Sequence, residues 1–368
     1  MAHIECRKLA KSFPGTRSGR GFCMEGLDLD IPDGKVTCVL GPSGCGKSTL
    51  LRLIAGLEEP DSGKVIFDGM DMSLATPEER RIGMVFQDYA LYPNFTSRQN
   101  VLSYFMFHKK TPELDREAQE KYRRTAELLG VDIEYLMDRK PTHLSSGEKQ
   151  RVAVGRCITR DPRLLLLDEP FSNLDSKLRT KYRIQLRTLL VRYGVTTVFV
   201  THDQREALAL GDLIAIMRDG GVEQVDTAER IYDEPRSLFA ADFLNPDPDA
   251  PTMNFLPGEA VAPEFGGLVV GARSEGIVVH VGGDAEGNRA PSIEALVAEA
   301  RPMALRSGTL LCLRAADRDV YVRMRPEDGE PPAAASRVRL SFEAYHLFDG
   351  NTGLRVRSVG RYRPASKE

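Results

Sequence analysis

The sequence predicts an α/β core, a parallel sheet with helices on both faces that carries a helical subdomain, followed by a small all-β domain. Three observations carry that expectation. Apolar strand-like runs alternate with helical stretches through the first part of the chain. A glycine-rich loop at Gly41–Ser48 joins one such strand to one such helix. Beyond about residue 236 the chain turns to short β-type runs between Gly- and Pro-rich turns. Alternation of this kind builds a parallel sheet covered on both faces. At 368 residues the chain is long enough for two or three domains. The change in character gives a first domain over 1–235 and a second over 236–368.

The elements follow in order. Ile4 to Leu9 reads as a strand, Val36 to Leu40 as an apolar strand and Ser48 to Ala55 as the helix after the loop. Gly63 to Phe67 is a further strand, ended by the turn Asp68-Gly69, and Ile82 to Phe86 a short buried one. A helical subdomain is expected over about 88–160. Asn100 to His108 is apolar and compact, and Asp115 to Leu129 places Ala118, Tyr122, Ala126 and Leu129 at helical spacing before a stop at Gly130. Arg163 to Leu167 returns to an apolar strand. Lys177 to Tyr193 is a long helix stopped by Gly194, and Val195 to Val200 and Ile214 to Met217 are strands. Asn245 to Pro251 is a Pro/Asp-rich linker. After it, Gly267 to Val270, Gly276 to Val281, Leu310 to Arg314, Val320 to Met324 and Val338 to Phe342 suggest a small barrel.

Composition narrows the function classes. Hydrophobic residues at 42% and charged residues at 28% describe an ordinary soluble globular chain. A net charge of −3 provides no broad basic field for nucleic acid, although it leaves a local patch open. The six cysteines are scattered without a C-x-x-C pair, which fits reduced thiols in a cytosolic protein. Met1 to Lys8 places charges where a signal peptide needs an apolar run, and no stretch approaches the length of a membrane span. A role at a membrane would therefore run through a partner.

The chemistry begins at the loop. Gly41-Pro42-Ser43-Gly44-Cys45-Gly46-Lys47-Ser48 fits G-x-x-x-x-G-K-[ST] in the required strand–loop–helix setting, the mark of a P-loop NTPase core. Its glycines let backbone N–H groups converge on phosphate oxygens, and the new helix adds its positive end. Lys47 is placed to bridge β- and γ-phosphates and Ser48 to hold Mg²⁺. Leu164 to Leu167 ends in Asp168 and Glu169. Next to a phosphate loop these read as a Mg²⁺ ligand and as the group that polarises the attacking water; alone they would also suit a polar turn. His202, after Val198 to Thr201, suits a γ-phosphate contact or a structural role. Gln87, after Phe86, has an amide able to reach Mg²⁺ or the water. Ser145 is a natural N-cap with Glu148 three residues on. That segment is either a capped helix or a second phosphate-facing helix end, and a second end suggests a site completed by another copy of the chain.

The order of the phosphate loop, Gln87, Leu144-Ser145-Ser146-Gly147-Glu148, Leu167-Asp168-Glu169-Pro170, Ser172-Asn173-Leu174-Asp175 and His202 resembles the ATPase subunits of ABC transporters. The likeness covers roughly the first 240 residues. It is strongest to the sugar-importer (maltose/glycerol-phosphate) branch, on Val85 to Pro93, Thr201 to Ala207, Met253-Asn254-Phe255 and His346-Leu347-Phe348-Asp349. The resemblance implies an OB-like regulatory domain at the C-terminus, with a place there for a regulatory protein. It implies a head-to-tail homodimer with two ATP molecules, each between the phosphate loop of one chain and Ser145, Ser146, Gly147 and Glu148 of the other, with Asp175 lining the interface. Thr49 joins the nucleotide contacts, and Phe13 becomes the aromatic on adenine. Integral-membrane permeases would dock near Gln87 and Tyr89 to Pro93 on the cytoplasmic face of the membrane, and a periplasmic or extracellular solute-binding protein would act indirectly. Ser146 stands where the family usually has Gly, Glu148 where Gln is common, and Thr16 to Gly21 looks like a short insertion beside Phe13.

Rival readings fit less well. Chromosome-maintenance ATPases with this motif order carry a long coiled coil between loop and signature, and no sustained heptads occur here. Ribosome-acting relatives usually carry two cassettes, and this chain carries one set of motifs. Iron, polyamine, sulfate or glycerol phosphate remain alternatives to a sugar as cargo.

Overall fold

The computed structural model describes residues 2–14, 21–109, 111–130, 134–245, 253–281, 290–303 and 308–360. Residues 16–20 of the expected insertion and 246–251 of the expected linker lie outside them. The chain divides into two compact units, Met1–Ala228 and Glu229–Glu368.

The first unit holds two sheets. One contains β1 (Ile4–Phe13), β2 (Phe22–Ile31), β4 (Ser62–Phe67) and β5 (Met70–Asp71), all antiparallel, in the order β2-β1-β4-β5. The other contains β3 (Val36–Leu40), β6 (Ile82–Val85), β7 (Leu164–Asp168), β8 (Thr196–Thr201), β9 (Leu213–Arg218) and β10 (Gly221–Asp226), in the order β10-β9-β3-β8-β7-β6. All its pairs are parallel except β10 with β9. Every residue of β3 and β8 is buried, as strands covered on both faces must be.

Sequence reading finds β1 and β4 but misses β2, and the reason is a pair of bulges. Cys6 faces Leu29 and Leu9 faces Leu27, which leaves an extra residue on β1; Lys11 faces Met24, which leaves one on β2. The bulge residues Lys8 and Gly26 have left-handed φ of 48° and 63°. Each bulge shifts the inward face by one residue. The buried side chains of β2 therefore fall at Met24, Leu27, Leu29 and Ile31, and strict alternation is lost.

Helix α1 (Lys47–Ala55) packs against β7 and β8 and buries Leu50, Leu51, Leu53 and Ile54 in the main core. The helical region comprises α2 (Ser97–Val101), α3 (Ser103–Met106), α4 (Pro112–Leu129), α5 (Glu134–Met137) and α6 (Ser146–Ile158). The apolar, compact stretch at 100–108 falls in two short helices, α2 and α3. Asn100 turns its amide onto the carbonyls of Tyr92, Phe95 and Thr96, and Leu102 leaves helical geometry at φ −90°, ψ 5°. Helices α7 (Ser176–Tyr193) and α8 (Gln204–Leu210) complete the unit.

The second unit is all-β in its sheets. One sheet has the order β11 (Asn254–Pro257), β12 (Leu268–Ala272), β18 (Tyr345–Asp349), β19 (Arg355–Val359). The other has the order β13 (Ile277–Val281), β17 (Arg337–Phe342), β14 (Ser292–Pro302), β15 (Thr309–Ala315), β16 (Arg318–Met324). Every pairing is antiparallel, and both sheets contribute to one core that includes Val270, Leu311, Leu340, Phe342 and Leu347.

One buried charge braces the first unit. Arg80 is 0% exposed. Its guanidinium donates to the carbonyls of Leu53 (2.7 Å), Ile54 (2.8 Å), Ala75 (2.9 Å) and Ser73 (3.0 Å). Two of these are orphan carbonyls at the C-terminal end of α1, where a cation is favoured. Arg80→Leu is expected to lower the unfolding free energy by about 2–4 kcal/mol, because it strands several buried acceptors at once. Urea unfolding of the two proteins checks this, and equal midpoints would remove the brace.

Candidate active site

The parallel register builds the site. Leu40 pairs with Thr201, Asp168 with Val200, and Val85 with Leu167. The residues just beyond β3, β8, β7 and β6 therefore share one sheet edge: the phosphate loop, His202, Glu169 and Gln87. The carboxyl edge of an open α/β sheet is the ligand-binding edge.

The loop's shape is set in part by its glycines. Gly46 has φ +104°, and a Cβ there would lie 2.5 Å from the ring of Phe22. No other residue takes that backbone at that distance from an aromatic face. Pro42, Ser43 and Gly44 are exposed while Cys45 is buried. Lys47 is also buried, and its Nζ donates to the carbonyls of Gly41 (2.9 Å) and Pro42 (3.0 Å). Thr49 is half-buried one residue beyond Ser48 on α1.

Ser48 Oγ donates to Asp168 Oδ1 at 3.4 Å. Burial pushes the Asp168 carboxyl up and Glu169 adds to that, against the pull of Ser48, Arg52 and Lys47. Placing a cation beside Asp168 would relieve that burial. A hydroxyl and a carboxylate form a hard-oxygen pair, and Mg²⁺ takes one or two such protein ligands together with phosphate oxygens and water. Among the described residues there is no larger His/Cys/Asp/Glu cluster for a metal. The donor set thus fits Mg-nucleotide.

Glu169 has the left-handed φ of +43°, a conformation that costs a non-glycine residue about 1 kcal/mol or more. It is anchored by its N–H to Val200 O (3.1 Å), and Ser172 Oγ donates to its carbonyl (3.0 Å). Its side chain Oε1 lies 3.1 Å from His202 Nδ1. His202 is exposed, on a loop whose next residue, Asp203, caps α8 through Arg205 N–H (2.8 Å). Gln87 is exposed, and its carbonyl accepts from Asn173 Nδ2 at 2.8 Å. Asn173 therefore ties the Gln87 strand end to the segment after Glu169, a role its place in the motif string does not disclose.

The remaining candidates stand apart from this edge. Ser145 caps α6, and Glu148 closes a capping box: its Oε2 accepts from Ser145 N (2.7 Å) and Oγ (2.8 Å), and its Oε1 accepts from Tyr135 Oη (2.5 Å). Burial opposes the Glu148 charge, but the hydrogen bonds from Tyr135 and Ser145 prevail and hold its carboxyl below the ordinary value. Ser146 is half-buried. Gly147 is buried, and a Cβ on it would collide with the ring of Tyr182 from α7. Asp175 is exposed at the N-cap of α7. Phe13 is 37% exposed at the end of β1, with its ring centroid 6.4 Å from that of Phe22. Sequence reading misses Phe22 and Tyr135. Their partners lie 24 and 13 residues away, and no local pattern marks them.

Beside Gln87 the chain presents aromatics. Tyr92 is 42% exposed and packs on Phe95 (5.2 Å) and Phe107 (5.8 Å). The loop beneath is held by Arg156, which donates to the carbonyls of Ala90 (2.6 Å) and Tyr89 (3.2 Å).

Comparison with known proteins adds to this geometry. The model for the family "ABC transporter" matches residues 24–172. The chain is 39% identical over 374 residues to the sn-glycerol-3-phosphate import ATP-binding protein UgpC of Cereibacter sphaeroides, covering 97% of this chain and 100% of that protein. It is 38% identical over 377 residues to the sulfoquinovosyl glycerol transport ATP-binding protein SmoE of Agrobacterium fabrum, covering 96% and 99%. A solved ATP-binding cassette in a dimeric post-hydrolysis state bound to ADP and Pi superposes with a TM-score of 0.51 at 30% identity, covering 61% of this chain and 98% of that one.

Glu169→Gln is expected to slow ATP hydrolysis by about 10²-fold or more, the scale of a lost general base, while nucleotide affinity stays within about twofold. His202→Ala should slow turnover with affinity likewise retained. Phosphate release and nucleotide titration measure the two quantities. A Glu169→Gln protein that turns over at the parent rate would move the base elsewhere.

Proposed function

The chain belongs to the ABC transporter family and is an ATP-hydrolysing ATP-binding subunit of an import system, and from that premise we propose that it powers uptake of a sugar or related carbohydrate through separate membrane permeases. The observation that carries the catalytic part is the 3.1 Å contact of Glu169 with His202, on the same strand edge as the Ser48–Asp168 pair. Glycerol phosphate is the second reading of the cargo, favoured by the name of the Cereibacter relative.

In this reading residues 41–49 hold the phosphates through backbone N–H groups and the N-terminal end of α1. Lys47 supplies the cation on the β- and γ-phosphates. Mg²⁺, held by Ser48 and Asp168 and reached by Gln87, would neutralise phosphate charge. Glu169 takes the proton of the attacking water, and His202 orients Glu169 through Nδ1. Phe13, beside Phe22 and so beside the loop, gives the adenine a face.

The side-chain hydrogen bonds described for the Ser145–Glu148 segment run within it and to Tyr135. Its exposed N-terminal end is left for the nucleotide of a second copy, with Asp175 on that interface. This homodimer would dock permeases on Tyr92 and its neighbours at the cytoplasmic face of a membrane. Among the described residues no helix is long and apolar enough to cross one. The C-terminal domain read from the sequence over residues 236–368, most of the second unit (Glu229–Glu368), would serve regulation.

Two outcomes test this. With Glu169→Gln to stall hydrolysis, ATP should convert the protein from monomer to dimer by light scattering, and adding Ser146→Leu should block that step while monomer nucleotide affinity stays. A Leu variant that dimerises would take the segment out of the site. Leu91→Glu with Tyr92→Glu should abolish solute uptake by vesicles carrying the complete transporter yet leave ATP hydrolysis by the isolated subunit within about twofold. Retained uptake would place the docking surface elsewhere.

A further inference from the structure

We propose that Tyr135 is a positioning residue for the phosphate site completed between two copies, acting through Glu148 on the N-terminal end of α6. The inference rests on the shared site proposed above and adds a residue that the signature segment does not contain.

The observations form a chain of contacts. Tyr135 Oη donates to Glu148 Oε1 at 2.5 Å. The other oxygen, Oε2, receives the N–H and the hydroxyl of Ser145 at 2.7 and 2.8 Å. Both carboxylate oxygens are therefore committed, and Glu148, which closes the capping box of α6, is fixed to a side chain outside that helix. Tyr135 is itself held: the guanidinium of Arg139 lies over its ring at 5.0 Å. Arg139 is tied to α2, because its carbonyl accepts from Ser97 N–H (2.8 Å) and Oγ (3.0 Å).

The chemistry explains why a partner is needed. A carboxylate at position 148 accepts only, with more acceptor capacity than Ser145 fills. Left with one free oxygen, Glu148 can swing off the cap toward water or toward a nearby cation. It would also carry its negative charge toward the place where an incoming phosphate must sit. The phenol supplies a charge-assisted donor on the side away from Ser145, pinning that oxygen and drawing its charge toward the hydroxyl. A neutral amide at 148 would bring no such charge and would depend less on Tyr135.

The test is a double-mutant cycle on the full-length protein, with turnover followed against ATP concentration. Tyr135→Phe is expected to raise the ATP concentration for half-maximal turnover by about threefold to tenfold, tenfold corresponding to 1.4 kcal/mol. The rate at saturation and the monomer's nucleotide affinity should stay within about twofold. In the Glu148→Gln background the same Tyr135→Phe change should have less than half that effect on a logarithmic scale. A merely structural tyrosine would lower thermal stability and rate alike in both backgrounds, and that result overturns the proposal. So does a Tyr135→Phe protein that matches its parent. Light scattering with ATP, with Glu169→Gln carried in parent and variant alike to stall hydrolysis, separates the two ideas. A parent that never dimerises defeats the shared site and the proposal with it; a parent that dimerises while Tyr135→Phe changes nothing defeats the tyrosine alone.

Discussion

The candidate site as a whole depends on the register of four parallel strands. Strand pairing fixes which residues come level, and a slip of one residue turns every side chain to the opposite face. With Leu40 against Thr201 and Asp168 against Val200, the glycine loop, the two carboxylates and the histidine leave the sheet side by side. The register is enforced by burial. The side chains of β3, β7 and β8 have almost no exposed positions, so a shifted pairing would have to repack both faces of the sheet. Hydrophobic packing inside the sheet thereby places the polar groups at its edge.

The polar groups are then held by short-range devices, each with a cost. Glu169 occupies a left-handed backbone, and Lys47 is buried without a carboxylate hydrogen-bonded to it. Both are tolerated because neighbouring backbone groups satisfy them: Val200 O and Ser172 for Glu169, and the carbonyls of Gly41 and Pro42 for Lys47. Strain at Glu169 and a buried charge at Lys47, each just beyond a strand of this edge, are what a preorganised electrostatic site requires.

The core and the phosphate site were legible to the extent that their signals are local. The loop motif, the paired carboxylates and the Ser145–Glu148 capping box each lie within eight consecutive residues, and the structure shows the capping box with both of its hydrogen bonds. The long helices read well for the same reason. Strand β2 was hidden because bulges at Lys8 and Gly26 displaced its alternation. In the second unit β14 was missed because only Ala295 and Val297 are buried along it while the apolar Leu296 between them is exposed, so its short apolar stretch does not mark a strand of eleven residues. Phe22, Asn173 and Tyr135 were not legible as site residues, since their meaning comes from Gly46, Gln87 and Glu148, which only the fold brings beside them.

The buried guanidinium of Arg80 has a mechanical consequence. It grips the last carbonyls of α1 and the chain at Ser73 and Ala75 together, so the helix cannot slide along its axis or fray at its far end. At its near end the same helix carries Lys47 and Ser48. In the proposed site the helix that would receive the phosphates is therefore held at its far end like an anvil on its block. The described residues over 97–158, by contrast, are divided into five α-helices, and a displacement of α1 at the nucleotide would be carried outward as a unit instead of being absorbed within that helix.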